Sequence, residues 1–182
     1  MRGDWFDSTG DVWINPSPNM RSFNEATLYP GIGMIEGTNI SVGRGTDTPF
    51  EVVGAPWINA TELSRYMNER AISGVRFVPV EFTPASSLYS SQKCGGVNIV
   101  ITDRNALDAP ELGLEIAAAL QALYPKQYVI KELDRRMVSK VSMDALALGE
   151  DPRRIAEAWR EEIERFEALR AKYLLYQAPA SH

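Results

Sequence analysis

The sequence predicts an α+β fold: a single mixed α/β domain with a small sheet, flanking helices and a long C-terminal helix. Short stretches rich in β-branched or alternating apolar residues indicate strands. Longer stretches with apolar residues every three or four positions behind a capping residue are typical of helices. These stretches follow one another in the order β, α, β, β, α, α, without the regular alternation that builds a parallel sheet. The length of 182 residues, 45% of them hydrophobic, suffices for one domain with its own core.

The amino-terminal part of the chain predicts mostly irregular structure. Residues 11–14 are a candidate short strand, and the prolines of NPSPNM (15–20) then interrupt regular structure. A helical turn is expected over residues 24–28. It should end at Tyr29-Pro30, because the residue before a proline disfavours helical geometry.

The middle of the chain predicts strands on either side of a helix. Residues 50–53 are a strand candidate, and Asn59 is a favourable N-cap for the helix that follows. Apolar and polar residues alternate over Val75–Phe82, where Pro79 indicates an edge strand or a bulge. Residues 97–101 are rich in β-branched side chains and predict the next strand.

The last third of the chain is predicted to be mainly helical. A helix is expected over residues 110–123, a brief strand over 128–130 and a short helix over 143–148. Asp151 and Pro152 suit the N-cap and first position of a long final helix. Its buried face is predicted to comprise Ile155, Trp159, Ile163, Phe166 and Tyr173.

Composition excludes several classes of function. The net charge is −5 without a long basic run, so the electrostatic signature of a nucleic-acid-binding protein is missing. No apolar stretch approaches the roughly 20 residues of a membrane span, and the absence of a signal-peptide pattern would, taken literally, predict a cytoplasmic protein. Cys94 and His182 are the sole cysteine and histidine, which argues against His-dependent nucleophilic catalysis and Cys/His metal sites. We expect no metal and no cofactor, and we expect Cys94 to be a small buried side chain.

The stretch YPGIGMIEGTNISVGRGTDTPFEVVGAP, residues 29–56, combines many glycines with polar and charged side chains. The backbone amides of residues 43–46 and the guanidinium of Arg44 would suit an anion. The alternative is structural: the glycines adopt tight turns and the polar groups bind the backbone of the loop itself. From the residues alone the structural interpretation is favoured, because neither phosphate-binding glycine motif is present.

A glycosidase needs two carboxyl groups, and Glu36 is the first candidate. It follows an apolar run and precedes a glycine, at the expected rim of the core; Asp47 and Glu51 are alternatives. For each of the three taken alone, the residues favour a structural role instead, in which the carboxylate braces the loop through Arg44 or backbone amides. Five aromatic residues can either stack on sugar rings or pack within the fold, namely Trp5, Trp13, Trp57, Tyr29 and Tyr89.

The segments NPSPNM, YPGIGMIEGTNISVGRGTDTPFEVVGAPWI, FTP and CGGV occur in this order and resemble the C-terminal half of the DUF1343 family. These proteins are the exo-β-N-acetylmuramidases called NamZ, glycoside hydrolases of bacterial cell-wall recycling that remove terminal N-acetylmuramic acid from peptidoglycan fragments. The resemblance runs from about Trp5 to Tyr176. It implies that residues 1–182 form the C-terminal domain. The N-terminal Rossmann-like domain of the family, which is expected to carry much of the catalysis, has no counterpart in this sequence.

The resemblance also implies an active site between the two domains and a periplasmic or secreted location. Arg44 and the amides beside it would bind the lactyl carboxylate of the sugar, Asn39 and Thr38 its hydroxyl or acetamido groups, and Glu36 would be the catalytic carboxylate. The implied substrate-binding residues are Thr38, Asn39, Arg44, Thr46, Glu51 and Asn19. Whether the chain is an enzyme by itself stays open, and the alternative is a non-catalytic module that binds muramyl sugars or docks a Rossmann-like partner.

Overall fold

The computed structural model describes residues 3–176, with the side chains of residues 134 and 135 left aside; His182 lies outside the described residues. Helices together with a small three-stranded sheet confirm a single mixed α+β domain. The elements in chain order are α1 (Phe23–Ile35), β1 (Val52–Ala55), α2 (Ala60–Glu69), β2 (Val75–Phe82), β3 (Cys94–Ile101), α3 (Ala109–Leu123), α4 (Lys140–Ala147), α5 (Pro152–Ala158) and α6 (Arg160–Arg170).

The sheet is antiparallel with the strand order β1-β3-β2. The central strand β3 begins at Cys94, which is fully buried as expected, and its residues Val97 and Ile99 also point into the core. Strand β2 lies at an edge, which confirms the position that Pro79 predicts, since an edge strand needs only one ladder of hydrogen bonds. A Cβ at Gly96 would lie 2.1 Å from the carbonyl oxygen of Val53, so the start of β3 requires glycine.

Helix α1 differs from the prediction of a short turn that ends at Tyr29-Pro30. The helix runs through Pro30 and ends at Ile35. An interior proline costs about 3 kcal/mol. Burial of Leu28, Ile32 and Ile35 contributes about 1.5–3 kcal/mol each, so tertiary packing outweighs the local penalty.

Helices α1 and α3 pack at very short distance, which explains glycines inside α1. A Cβ at Gly31 would lie 1.8 Å from the carbonyl oxygen of Ala109, and a Cβ at Gly113 would lie 2.6 Å from the carbonyl oxygen of Gly31. The two backbones therefore touch. This contact fixes the end of α1, and with it the residues that follow Ile35.

Two predicted strands are wrong. Residues 11–14 form no strand, and Val12 and Ile14 are each 83% exposed because no neighbouring strand pairs with them. Residues 128–130 lead instead into a 3₁₀ helix, Ile130–Arg135. There the backbone amide of Val129 is bound by a side chain, 2.9 Å from Oδ1 of Asn39.

The final helix is present but its predicted buried face is correct only at its start. Helices α5 and α6 follow one another with a single turn residue between them, Trp159. Ile155 is buried and Trp159 is half-buried, whereas Ile163, Phe166 and Tyr173 are 50%, 59% and 75% exposed. The apolar spacing continues, but α6 extends past the edge of the core.

The start of α5 is fixed by a buried ion-pair network. Glu115 of α3 is 1% exposed and accepts two hydrogen bonds of 2.7 Å from Arg70. Arg70 also binds the N-cap carboxylate of Asp151 at 3.0 Å. Across residues 3–176, no helix is both long and apolar enough to cross a membrane.

Candidate functional site

The glycine-rich stretch divides into the end of α1 and a loop that returns to β1. Glu36 is the C-cap of α1. The loop is tied to β1 by two hydrogen bonds of 2.9 Å between the backbones of Ser41 and Gly54. Gly43 and Gly45 have φ angles of +78° and +82°; a Cβ would lie 2.7 Å from Cγ2 of Val52 at the first position and 2.5 Å from the carbonyl oxygen of Ser86 at the second. The loop therefore needs its glycines for its own shape, which is the structural role considered above.

Glu36 and Arg44 form a bidentate ion pair across this loop. Nε of Arg44 donates to Oε1 of Glu36, and Nη2 donates to Oε2 at 3.2 Å. The hydrogen bond to Glu36 raises the pKa of Arg44 above its usual value. The guanidinium also lies over the ring of Phe50, 5.0 Å from its centroid. The guanidinium of Arg44 is thus held by an ion pair and by an aromatic ring.

A second guanidinium faces the same carboxylate. Nη2 of Arg136 lies 3.9 Å from Oε2 of Glu36. Arg136 follows the 3₁₀ helix Ile130–Arg135, where its backbone amide donates to the carbonyl oxygen of Leu133 at 2.8 Å. Its side chain is half-exposed, while that of Glu36 is 15% exposed.

These three side chains line a pocket of ≈ 260 Å³. The ionisable groups of its lining are two guanidiniums and one carboxylate, which sum to a charge of +1. The complete lining comprises Glu36, Ile40, Ser41, Val42, Arg44, Ser87, Leu88 and Arg136.

The pocket wall formed by Ser87 and Leu88 belongs to a strained loop. Ser87, Tyr89 and Ser91 all have positive φ angles, of 70°, 60° and 62°. Such conformations cost of order 1 kcal/mol or more for non-glycine residues and persist where the surroundings impose them. The hydroxyl of Tyr89 donates to the carbonyl oxygen of Asn39 at 3.0 Å, which attaches this loop to the glycine-rich stretch.

Thr38 and Asn39 are engaged within the fold. Thr38 is buried and its hydroxyl donates to the carbonyl oxygen of Ile35 at 2.8 Å. Asn39 holds the 127–129 segment, because its Nδ2 donates to the carbonyl oxygen of Gln127 at 2.8 Å and its Oδ1 accepts from the amide of Val129. Their side chains therefore shape the surroundings of the pocket and do not line it.

Thr46 and Asn19 lie near the amino-terminal segment. The hydroxyl of Thr46 donates to the carbonyl oxygen of Gly43 at 2.6 Å, and Nη2 of Arg21 donates to the carbonyl oxygen of Thr46. Asn19 lies in a tight turn, with its amide 3.2 Å from Oγ of Ser17. Neither Thr46 nor Asn19 lines the described pocket.

Glu51 is also held by the amino-terminal segment and lies outside the pocket lining. The hydroxyl of Ser22, the N-cap of α1, donates to Oε1 of Glu51 at 3.1 Å. Burial raises the pKa of Glu51, an effect that the Ser22 hydrogen bond partly offsets and the nearby Glu25 reinforces. Glu51 is therefore the sequence-predicted site carboxyl whose surroundings favour the protonated form.

The candidate sugar-stacking aromatics take part in packing. Trp5 and Trp13 both meet Phe23 edge to face, with centroids 5.7 Å and 6.3 Å apart. Trp57 packs in the same way on Tyr124 at 5.4 Å.

Burial raises the pKa of the Cys94 thiol, which disfavours the thiolate that a nucleophile needs.

The sequence did not point to Arg136 or Ser87. Both are distant in sequence from residues 36–44 and line the pocket only because the folded chain brings them there. Gly37 is the one indirect signal, because a Cβ there would lie 3.1 Å from Cγ of Arg136, but this proximity cannot be recognised without the fold. In the part of the chain that the structure describes, no group of three or more His, Cys, Asp or Glu side chains is placed to hold a metal.

A family model described as the C-terminal part of exo-β-N-acetylmuramidase NamZ matches residues 27–176. The chain belongs to the NamZ family. It is 36% identical over 181 residues to the peptidoglycan β-N-acetylmuramidase NamZ of Bacillus subtilis (strain 168), covering 94% of this chain and 42% of that protein. The resemblance drawn from the motifs is thereby confirmed, and both the loop of Glu36 and Arg44 and the turn of Arg136 lie inside the matched residues.

Two solved structures share the fold of this NamZ-family chain. A DUF1343 family protein from Bacteroides fragilis NCTC 9343 superposes with a TM-score of 0.84 at 25% identity, covering 94% of this chain and 47% of that one. A second DUF1343 family protein from the same strain gives a TM-score of 0.66 at 26% identity, with 90% and 44% covered. The chain thus spans less than half the length of these relatives.

Proposed function

We propose that this domain forms one wall of the substrate cleft of an exo-β-N-acetylmuramidase that acts on peptidoglycan fragments. The observation that supports this most strongly is the pocket in which Glu36, Arg44 and Arg136 converge, because it combines a fixed carboxylate with an excess of positive charge. Muramyl sugars offer hydroxyl groups that can donate to the carboxylate of Glu36, and a carboxylate that can bind the positive charge. The bidentate ion pair with Arg44 also restricts the rotamers of Glu36, as a preorganised site requires.

Glu36 is the proposed catalytic carboxylate, acting by orienting the reacting sugar. Both of its oxygens accept hydrogen bonds from Arg44, so it presents acceptors in a fixed direction. Glycoside hydrolysis uses two carboxyl groups, and the described pocket lining contains one. We infer that the second comes from a Rossmann-like N-terminal domain that completes the cleft.

The other sequence-predicted residues are assigned supporting roles in this proposal. Thr38 and Asn39 position the pocket wall through bonds to backbone atoms. Thr46, Glu51 and Asn19 lie on the amino-terminal side of the loop, where Thr46 and Glu51 hold its conformation. Thr46, Glu51 and Asn19 would contact the sugar from the side of the loop that faces the amino-terminal segment.

A single carboxylate in the pocket also fits the alternative, a module that binds muramyl sugars without hydrolysing them. A hydrolysis assay distinguishes the enzyme domain from the binding module. The protein is mixed with the N-terminal domain of the B. subtilis relative, and release of N-acetylmuramic acid from a chromogenic β-glycoside is followed. Restored release supports the enzyme domain, whereas sugar binding without release supports the module.

Amide chemical shifts during a titration with N-acetylmuramic acid test the location of the site. Shifts that cluster on residues 36–48, 87–88 and 136 are expected. A larger open groove of ≈ 830 Å³ between residues 56–61 and 79–81 is the rival location. Its charged lining, Glu81 and Lys93, is self-neutralised by an ion pair of 2.9 Å. Shifts confined to that groove, or none at millimolar sugar, would contradict the proposal.

A further inference from the structure

We propose that Arg136 is the residue that recognises the lactyl carboxylate of the sugar and so distinguishes N-acetylmuramic acid from N-acetylglucosamine. These two sugars differ only in the lactyl ether, whose carboxylate carries one negative charge. The inference rests on the proposed function of the pocket. It moves carboxylate recognition from Arg44, where the sequence motif suggested it, to a residue outside that motif.

Arg44 is already occupied. Two of its N–H groups bind Glu36, and its guanidinium plane lies over Phe50. A ligand carboxylate could bind it only by replacing Glu36 or by sharing its remaining donors. Arg44 therefore acts as the partner that fixes Glu36, and its positive charge is neutralised by that carboxylate.

Arg136 has the opposite environment. Within the described residues its guanidinium has one acidic group within 4.0 Å, Glu36 at 3.9 Å, which is beyond hydrogen-bond distance. No hydrogen bond from this guanidinium to a described residue accompanies that contact. Half of the side chain is exposed, and it lines the pocket. Its donors are thus available to a ligand at the place where the pocket carries its unbalanced charge.

The backbone around Gly37 creates the position of Arg136. A Cβ at residue 37 would lie 3.1 Å from Cγ of Arg136 and 3.1 Å from the carbonyl oxygen of Glu132. Glycine therefore lets the arginine stem pass directly over the end of α1. As a result, both guanidiniums face Glu36, with Nη2 of Arg44 at 3.2 Å and Nη2 of Arg136 at 3.9 Å from the same oxygen, Oε2.

The charge sum of the pocket sets the class of ligand. Two guanidiniums and one carboxylate leave +1, which one carboxylate neutralises. A neutral sugar would leave this charge unpaired in a partly enclosed site, whereas a monoanion would convert it into charge-assisted hydrogen bonds. The pocket therefore prefers a singly charged acidic sugar to its neutral counterpart.

Affinity measurements with matched ligands and matched variants test the inference. The protein is titrated with N-acetylmuramic acid, with its methyl ester and with N-acetylglucosamine. The variants are Arg136→Gln, which removes the charge, Arg136→Lys, which keeps it, and the control Arg65→Gln. Arg65 is an exposed arginine of α2 that also has a carboxylate, Glu69, at 4.0 Å but lies outside the pocket lining.

For the unaltered protein we expect N-acetylmuramic acid to bind about tenfold to a hundredfold more tightly than the two neutral ligands, as for other hydrogen bonds to charged groups. Arg136→Gln should abolish this preference, Arg136→Lys should restore part of it, and Arg65→Gln should keep all of it. The amide spectrum of each variant verifies its fold.

A preference that survives Arg136→Gln in a folded protein would overturn the inference and leave the proposed function standing. Equal affinity for all three ligands would also overturn it, while still showing a sugar site. Absence of binding by every ligand would contradict the proposed function and the inference together.

Discussion

At the residue scale, the pairing of Glu36 with Arg44 serves both the fold and the proposed site. The pair lies between the end of α1 and the loop that leads to β1, and both partners are largely shielded from solvent, with 15% and 30% of their side chains exposed. Shielding makes the loss of one partner more costly than at the surface, because the other partner keeps its charge without compensation.

Glu36→Ala is accordingly expected to lower the free energy of unfolding by about 1–2 kcal/mol. The control is Glu69→Ala, which removes an exposed ion pair on α2 and should change stability by less than about 0.5 kcal/mol. Urea denaturation measures both. Equal effects of the two substitutions would show that the Glu36–Arg44 pair has no structural role.

Glu51 allows a prediction of pH dependence. Burial raises its pKa in the folded state above the ordinary value, so the folded protein retains the proton over a range in which the unfolded chain has lost it. Stability contributed by this carboxyl therefore falls as pH rises from the ordinary glutamate pKa of about 4.3 through the folded value, and the penalty is complete above it.

Glu51→Gln should remove this penalty, because a neutral amide can still accept the hydrogen bond from Ser22. We expect the variant to be more stable than the unaltered protein at pH 7 and the difference to vanish near pH 4. Thermal unfolding across this pH range is the measurement. A variant that is less stable at pH 7 would contradict the assignment.

At the element scale, the structure separates features that local sequence determines from those that packing determines. Helix α2 begins after Asn59, and strand β2 spans Val75–Phe82, as capping and alternation predict. The start of helix α1 agrees with the helical turn predicted over residues 24–28, but its continuation to Ile35 is not predictable locally, because Pro30 is unfavourable and the compensation comes from α3, far along the chain. The strand expected at residues 11–14 is absent because a strand requires a partner, which its own sequence does not reveal.

The contact between α1 and α3 predicts a large loss of stability at one glycine of α1 and little change at another. Gly31→Ala would place a methyl group against the backbone of Ala109 and should destabilise the protein by several kcal/mol or prevent folding. Gly33→Ala meets only the ring of Tyr29, at 3.1 Å, and gains up to about 1 kcal/mol of helix propensity.

Chemical denaturation of the two variants measures this difference. Near-neutral stability is expected for Gly33→Ala, since an aromatic side chain can shift more easily than a backbone. Comparable stability of both variants would contradict the close packing of α1 on α3.

The final helical segment has a buried start and an exposed end, which allows one substitution at each to be compared. Ile155→Ala should cost about 2–4 kcal/mol, because Ile155 is 4% exposed within the core. Phe166, which the apolar spacing predicts on the same buried face, is 59% exposed, so Phe166→Ala should cost less than about 1 kcal/mol. Denaturation midpoints of the two variants measure these costs. A large loss of stability for Phe166→Ala would contradict the exposed position of α6.

At the scale of the whole molecule, the motif is sufficient to predict the family and two of the three charged residues of the pocket. Glu36 and Arg44 lie eight residues apart in one loop, so a local pattern contains them both. Arg136 and Ser87 come from a 3₁₀ turn and a strained loop that meet this pair only after folding. Likewise, the sequence could not show that Thr38 and Asn39 bind the fold's own backbone.

A crystal structure of the protein with N-acetylmuramic acid would locate both the sugar and its carboxylate. We expect the sugar to occupy the pocket of Glu36, Arg44 and Arg136. Its lactyl carboxylate should lie within hydrogen-bond distance of the Arg136 guanidinium, about 2.7–3.2 Å, while the Glu36–Arg44 pair stays intact. A sugar bound in the open groove between residues 56–61 and 79–81, or one whose carboxylate displaces Glu36 from Arg44, would contradict it.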